Sequence, residues 1–353
     1  MTDDRHGTRA ARLPIDLLGG LYGRVTQARR AWYRAHAERR RRLHHPVISV
    51  GNLASGGSGK TPVVAALARL LLARGERPAV LTRGYGRRVH AEGVVVVSDG
   101  ARVLAPVERS GDEAQLLAHA LDGVAVLVCA DRSLAGAFAE RTFGTTVSLL
   151  DDGFQHVQLE RDVDLVLVSP SDLREGVLPS GHLREPFAAA RFADAVLVTG
   201  PAEDITAVAR ACGHESAFHV VPRYGPPQLE SGPLAGLPRC AIAVAGIARP
   251  ERFFHALGSL GWNIARNLTY RDHHWYTARD IEDIARAARE AAADAVVTTG
   301  KDAVRLPGSI GGLPVLVLPM KVDIEPVGVF ESWLLERLAR ARQASSPRGA
   351  TLG

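Results

Sequence analysis

Apolar and polar positions along this 353-residue chain alternate in two successive rhythms. Short apolar runs recur at 79–82, 94–97, 124–129, 146–150, 163–168 and 194–199, with segments of helical period between them. Runs of that length bounded by turn residues read as buried strands, and strands alternating with helices read as a largely parallel sheet. The stretch Val221-Pro-Arg-Tyr-Gly-Pro-Pro-Gln-Leu-Glu-Ser-Gly-Pro-Leu-Ala-Gly-Leu-Pro238 then has the composition of a linker or hinge. A second α/β rhythm follows, with strands expected near 240–245, 263–269, 294–298 and 314–318, and helices near 250–260, 277–292 and 327–342. The last residues, 343–353, read as a disordered tail.

Residues 1–46 form an arm of different character. Leu13, Leu17, Leu18, Leu21, Tyr22, Val25 and Trp32 recur near helical spacing, with Arg24, Arg29, Arg30 and Arg34 between them. Gly19 and Gly20 are expected to break or kink this helix. The arm holds 11 arginines against four acidic residues, so the net charge of +5 belongs to it and the remainder is slightly negative. A basic amphipathic helix suits an anionic membrane surface. The same pattern also fits a helix packed on its own domain with a solvated arginine face, and nucleic-acid binding is a weaker third reading.

Composition excludes several classes. Hydrophobic residues make up 46% and charged residues 23%, as in ordinary globular proteins. Three cysteines, Cys129, Cys212 and Cys240, form no C-x-x-C pair, which points to a reducing compartment and away from a structural metal site. No apolar run is long enough to span a bilayer, and no secretory segment follows the start.

The chemistry concentrates first in Val47-Ile-Ser-Val-Gly-Asn-Leu-Ala-Ser-Gly-Gly-Ser-Gly-Lys-Thr-Pro62. It reads as a strand, a glycine-rich loop and a helix whose core face is Val63, Val64, Leu67, Leu70 and Leu71. Gly56, Gly57, Ser58 and Gly59 would let backbone N–H groups turn around phosphate oxygens. Lys60 would reach the β- and γ-phosphates, and the Thr61 hydroxyl would ligate Mg²⁺. Ala54 stands where the strict pattern has Gly, and the competing reading is a glycine-rich turn without a ligand. Lysine usage favours the phosphate reading: Lys60, Lys301 and Lys321 are the only lysines in the chain. A phosphate loop needs a compact ammonium, whereas arginine is the default cation here. The expected architecture is thus α/β: a P-loop NTPase-like parallel sheet domain over 47–220, a hinge, and a second smaller α/β domain over 239–342.

Other candidates follow from local pattern. Asp151 and Asp152 end an apolar strand, as a metal-holding Walker B element does, although two Asp at a strand end also suit a plain turn. Gln155 and His156 would face the same crevice. Asp112 and Glu113 open a helix, where capping is the simple explanation; the chemical one makes Asp112 a base and Glu113 a further metal carboxylate. Arg83 and Tyr85, set among glycines, suit an anionic or sugar substrate. Arg184 could steady transferring phosphoryl charge, with Glu185 beside it as a substrate contact. Asp272, His273 and His274 lack further ligands at zinc spacing, so a general-base or orienting role suits His273 better.

Together these segments resemble the tetraacyldisaccharide 4′-kinase family, the lipid A kinases. The resemblance rests on Val50-Gly-Asn-Leu-Ala-Ser-Gly-Gly-Ser-Gly-Lys-Thr-Pro62, Arg83-Gly-Tyr-Gly86, Gly111-Asp-Glu113, Asp151-Asp-Gly-Phe-Gln-His156, Leu183-Arg-Glu-Pro186, Gly246-Ile-Ala-Arg-Pro-Glu-Arg-Phe-Phe254, Asp272-His-His274 and Lys301-Asp-Ala-Val304. Gly300 stands where Glu is expected, so no role is carried to Lys301, and His182 replaces an expected Pro. The resemblance implies ATP and Mg²⁺, and γ-phosphoryl transfer to the 4′-hydroxyl of a lipid disaccharide 1-phosphate. It also implies peripheral attachment to an anionic membrane surface, the cytoplasmic face of the inner membrane. It indicates neither a nucleic-acid partner nor an obligate protein partner. The alternative is a non-kinase P-loop ATPase that uses hydrolysis to control binding. Such proteins often carry an extra Lys early in the loop, where this chain has Ser55.

Overall fold

In the computed structural model, which describes residues 12–57, 59–229 and 238–345, the chain divides into two units. The first comprises residues up to 83, 131–221 and 323 onward; the second comprises 84–130 and 222–322. This is not the sequential division that the hinge-like stretch suggested. Residues 84–130 cluster with the second unit, and the helix Val327–Ser345 returns to the first. Apolar period reports burial but not the partner, so neither crossing leaves a compositional mark. The supposed linker also contains structure: Gln228–Leu229 pairs antiparallel with Leu313–Leu318.

The first unit is built on parallel strands in the order Ala217–Tyr224, Ala195–Thr199, Val163–Val168, Val47–Asn52, Val147–Asp151, Pro78–Thr82. The central strands are buried at every position, as expected where helices cover both faces of a parallel sheet. Register places Val50 beside Asp151, so the strand feeding the glycine loop ends next to the strand carrying the paired carboxylates. The helix Lys60–Ala73 buries Val63, Val64, Leu67 and Leu71. At the far edge Phe330 of Val327–Ser345 meets Phe218 edge to face at 4.9 Å.

The N-terminal helix runs unbroken from Arg12 to Ala35, contrary to the expected break at Gly19 and Gly20. Packing explains Gly19 and the later Gly23, whereas Gly20 faces open space. A Cβ on Gly19 would lie 2.6 Å from Ser180 Oγ and 3.1 Å from the Val177 carbonyl, and one on Gly23 would lie 3.2 Å from Pro186 Cγ. The basic run after the helix is tied to the same unit: Arg41 pairs with Asp131, and Arg42 with Glu160 at 3.2 Å.

The second unit holds parallel strands in the order Ile264–Thr269, Ala241–Ala245, Ala295–Thr299, Leu313–Leu318. Strand alternation feeds two cores. Ala241, Ala243 and Ala245 pack with Phe253 and Leu257, whereas Ile242 and Val244 pack with Ile284 and Ala288. These come from helices Pro250–Ser259 and Ala278–Glu290, the latter started by a Thr277–Asp280 capping box. The antiparallel pair Val95–Asp99 and Ala125–Val128 and the helix Asp112–Ala120 belong to this unit as well.

Candidate active site

Each unit carries its own cluster of candidate residues. In the first, Gly56 and Gly59 take left-handed φ values of 94° and 83°, which turn the loop before Lys60–Ala73. Ser58 lies outside the described residues. Among the described residues no side chain caps the start of that helix, so its first N–H groups suit an anion. Lys60 Nζ donates to Asn52 Oδ1 at 3.0 Å and lies 3.4 Å from Asp152. Thr61 is buried in the helix's first turn, and Asp151 is buried at the strand end.

Asp152 adopts a left-handed φ of 55°, uncommon outside glycine, which turns its carboxylate toward two cations. Arg184 binds it with both terminal nitrogens, each at 2.7 Å, and also meets Asn52. Burial opposes ionisation of Asp152, but Arg184 and Lys60 outweigh it and hold the carboxyl well below the usual carboxylate range. Gln155 Nε2 donates to the Asn52 carbonyl at 3.0 Å. His156 is pushed down to about 4 by burial and by the positive charges of Arg132 and Arg161. An uncharged His156 follows at neutral pH.

The second unit brings together Asp112, His273 and Lys301. Asp112 is 2% exposed and opens Asp112–Ala120. Gly111 before it has a φ of 82°, and a Cβ there would lie 2.3 Å from the Tyr85 carbonyl, so glycine is required. His273 Nδ1 meets the two Asp112 oxygens at 3.0 and 2.8 Å, and its backbone too is left-handed, with φ 58°. Lys301 Nζ lies 3.1 Å from His273 Nε2, 3.3 Å from Glu113 and 3.4 Å from Asp272. An ammonium only donates, so Nε2 accepts from it and the ring proton sits on Nδ1, donated to Asp112. Burial works against the Lys301 charge, but Glu113, Asp112 and Asp272 outweigh it and raise its pKa, which keeps the donor in place.

Behind this pair stands a buried guanidinium. Arg305 Nη2 lies 3.3 Å from Asp112 and 3.1 Å from Asp302, with its side chain 1% exposed. Asp302 is fully buried and accepts from Gly246 N, Thr299 Oγ1 and Tyr276 OH. Burial raises the Asp112 pKa, but His273, Lys301 and Arg305 overcome it, and the carboxyl is held below its ordinary value. Tyr85 leans its ring edge on His273 at 4.9 Å while staying 64% exposed.

The tetraacyldisaccharide-1-P 4′-kinase family model matches residues 11–339. The chain belongs to the tetraacyldisaccharide 4′-kinase family. It is 41% identical to the tetraacyldisaccharide 4′-kinase of Geobacter metallireducens over 305 residues, 84% of this chain and 89% of that one. It is 39% identical to that of Syntrophus aciditrophicus over 361 aligned positions, 94% and 96% of the two chains. The solved structure of LpxK from Aquifex aeolicus in complex with ATP superposes with a TM-score of 0.76 at 29% identity, covering 94% of this chain and 99% of that one. As a member of this family the chain is an enzyme, a kinase of lipid A biosynthesis.

Not every expected residue of this tetraacyldisaccharide 4′-kinase sits as the sequence suggested. Glu185 was expected to touch substrate. It is 3% exposed, and both its oxygens are bound by Arg30 at 2.8 and 2.7 Å. Glu113, expected as a metal carboxylate beside Thr61, Asp151 and Asp152, belongs to the second unit, where its carboxylate meets Lys301 at 3.3 Å. Arg83 is exposed at the end of the first unit's first segment. Sequence reasoning gave no role to Asn52, Lys301, Asp302 or Arg305. The available signals were a polar residue ending an apolar strand and the Lys301-Asp302 pair in the short helix Gly300–Ala303, with Arg305 just beyond it.

Proposed function

We propose that this kinase transfers the γ-phosphoryl of ATP to the 4′-hydroxyl of a tetraacylated glucosamine disaccharide 1-phosphate, with the nucleotide held by the first unit and the acceptor proton handled by the second. The observation that carries the reading is the Asp112–His273–Lys301 arrangement, a poised proton acceptor that a binding switch has no use for. Lys60, the glycine loop and the open start of Lys60–Ala73 cradle the phosphates. Arg184 is available to the transferring group from its place on Asp152, and Arg83, Tyr85, Gln155 and His156 are candidates for substrate contact.

Among the described residues no three His, Cys, Asp or Glu side chains form a metal cluster. Mg²⁺ needs none, because one or two carboxylates plus substrate phosphates suffice. Thr61 with Asp151 and Asp152 fits that donor set, and the bound ion would neutralise charge on the β- and γ-phosphoryl oxygens.

Asp112 takes the acceptor proton, and His273, donating through Nδ1, fixes its orientation. A carboxylate of low basicity suits this chemistry, since a loose phosphoryl transition state leaves the attacking hydroxyl largely protonated until late. Attachment to the cytoplasmic face of the inner membrane is peripheral in this account. No helix among the described residues is long and apolar enough to cross a membrane, while Leu17, Leu18, Leu21 and Val25 stand 55–73% exposed on the N-terminal helix. Incubation with ATP and the tetraacylated disaccharide 1-phosphate tests the function: a bisphosphorylated lipid is expected. Lipid-independent ATP hydrolysis with no phosphorylated lipid contradicts it and favours the switch.

A further inference from the structure

Arg30 looks from sequence like one more cation on a solvated helix face. It is 4% exposed and points into the protein. Its Nε and one Nη2 bond hold both oxygens of Glu185, at 2.8 and 2.7 Å, and Nη2 also donates to the Phe154 carbonyl at 2.8 Å. The guanidinium lies 4.0 Å over the Phe154 ring. Glu185 directly follows Arg184, and Phe154 comes two residues after Asp152. One side chain therefore ties down the two separate backbone segments that supply the Arg184–Asp152 pair. Arg29 adds a bond to the next carbonyl, Gln155, at 3.0 Å.

The other end of the same helix presents Leu17, Leu18, Leu21 and Val25 to solvent. We propose that Arg30 is a positioning residue for phosphoryl transfer, clamping the Asp152 and Arg184 segments in register from the N-terminal helix. The planar fork suits this task, since it satisfies a carboxylate in two-point fashion and has donors left for a carbonyl. A lysine would make a single-point contact. The inference rests on the reading of Asp152 and Arg184 as phosphate-handling residues. It does not need the helix to bind membranes.

The test compares wild type, Arg30→Met and the double variant Arg30→Met/Glu185→Leu on detergent-dispersed lipid substrate, with melting temperature and vesicle binding measured alongside. Arg30→Met strands a buried carboxylate and is expected to melt lower; the double variant removes both charges and should regain most of that loss. In both variants kcat should fall by about tenfold or more, because small displacements of catalytic groups are costly. The KM values for ATP and lipid, and vesicle binding, should stay within about twofold, which a lost substrate contact would not allow. Recovery of kcat together with melting temperature in the double variant would reduce Arg30 to a structural role and overturn the proposal. Should neither Met variant fold, Arg30→Lys decides: normal kcat overturns the clamp, and reduced kcat at unchanged KM supports it. Failure of the wild type to make bisphosphorylated lipid would instead refute the kinase reading itself.

Discussion

At the residue scale the chemistry turns on where protons sit. Lys301 touches His273 Nε2, so the neutral ring must carry its proton on Nδ1. Nitrogen NMR of a ¹⁵N-histidine sample should show His273 as the Nδ1–H tautomer, and Lys301→Met should release that preference and lower kcat with little change in ATP affinity. A wild-type Nε2–H signature would refute the arrangement. His156 gives a second, independent titration. Its folded-state pKa of about 4 lies below its ordinary 6.5, so the unfolded chain binds the proton first as pH falls. Its contribution to stability is complete above about pH 6.5 and is lost toward pH 4. Melting temperature should fall less steeply across that window in His156→Gln than in wild type; equal slopes would show that burial and Arg132 do not hold the ring neutral.

At the scale of elements, the N-terminal helix packs one part on its own unit and leaves apolar side chains exposed on another, where the sequence left packing and lipid contact as rival readings. Its C-terminal half packs through Arg29, Arg30 and Arg34, the last set 4.6 Å over Phe192, while its N-terminal half exposes leucines. Deleting the whole helix would confound the two, since Arg30 would go with it. Leu17→Glu/Leu21→Glu leaves the packed face intact. With roughly 1.5 kcal/mol or more lost per leucine, vesicle affinity should drop by about a hundredfold or more, with kcat on dispersed lipid unchanged. Unaltered vesicle binding would mean the exposed leucines do not seat on lipid. Much of the rest was legible. Apolar runs gave most strands of both sheets but not Ala217–Tyr224 or Met320–Glu325, whose polar and part-exposed positions form no apolar run, and the Gly59-Lys60-Thr61 and Gly111-Asp-Glu113 segments marked the two clusters. Gly19 was misread because close packing against Ser180 and Val177 leaves no trace in helix period. Arg30 was hidden among ten other arginines of the arm, since composition cannot tell a buried guanidinium from a solvated one.

At the scale of the whole molecule, the groups proposed to handle phosphate and those proposed to handle the proton belong to different units. The chain passes between the units more than once, so Asp112 and Glu113, early in sequence, join Asp272, His273 and Lys301. No local pattern announces that grouping; the family resemblance put the residues together before any contact did. The division makes a sharp kinetic expectation, because a change in one unit's chemistry should leave the other's ligand in place. The most direct measurement is the affinity for a non-hydrolysable ATP analogue and kcat for lipid phosphorylation, determined together for Asp112→Asn. The account predicts affinity within about twofold of wild type and kcat lower by roughly 10²- to 10⁴-fold, the range of a lost general base. Collapsed nucleotide affinity with near-normal kcat at saturating ATP would contradict it and place Asp112 in nucleotide binding.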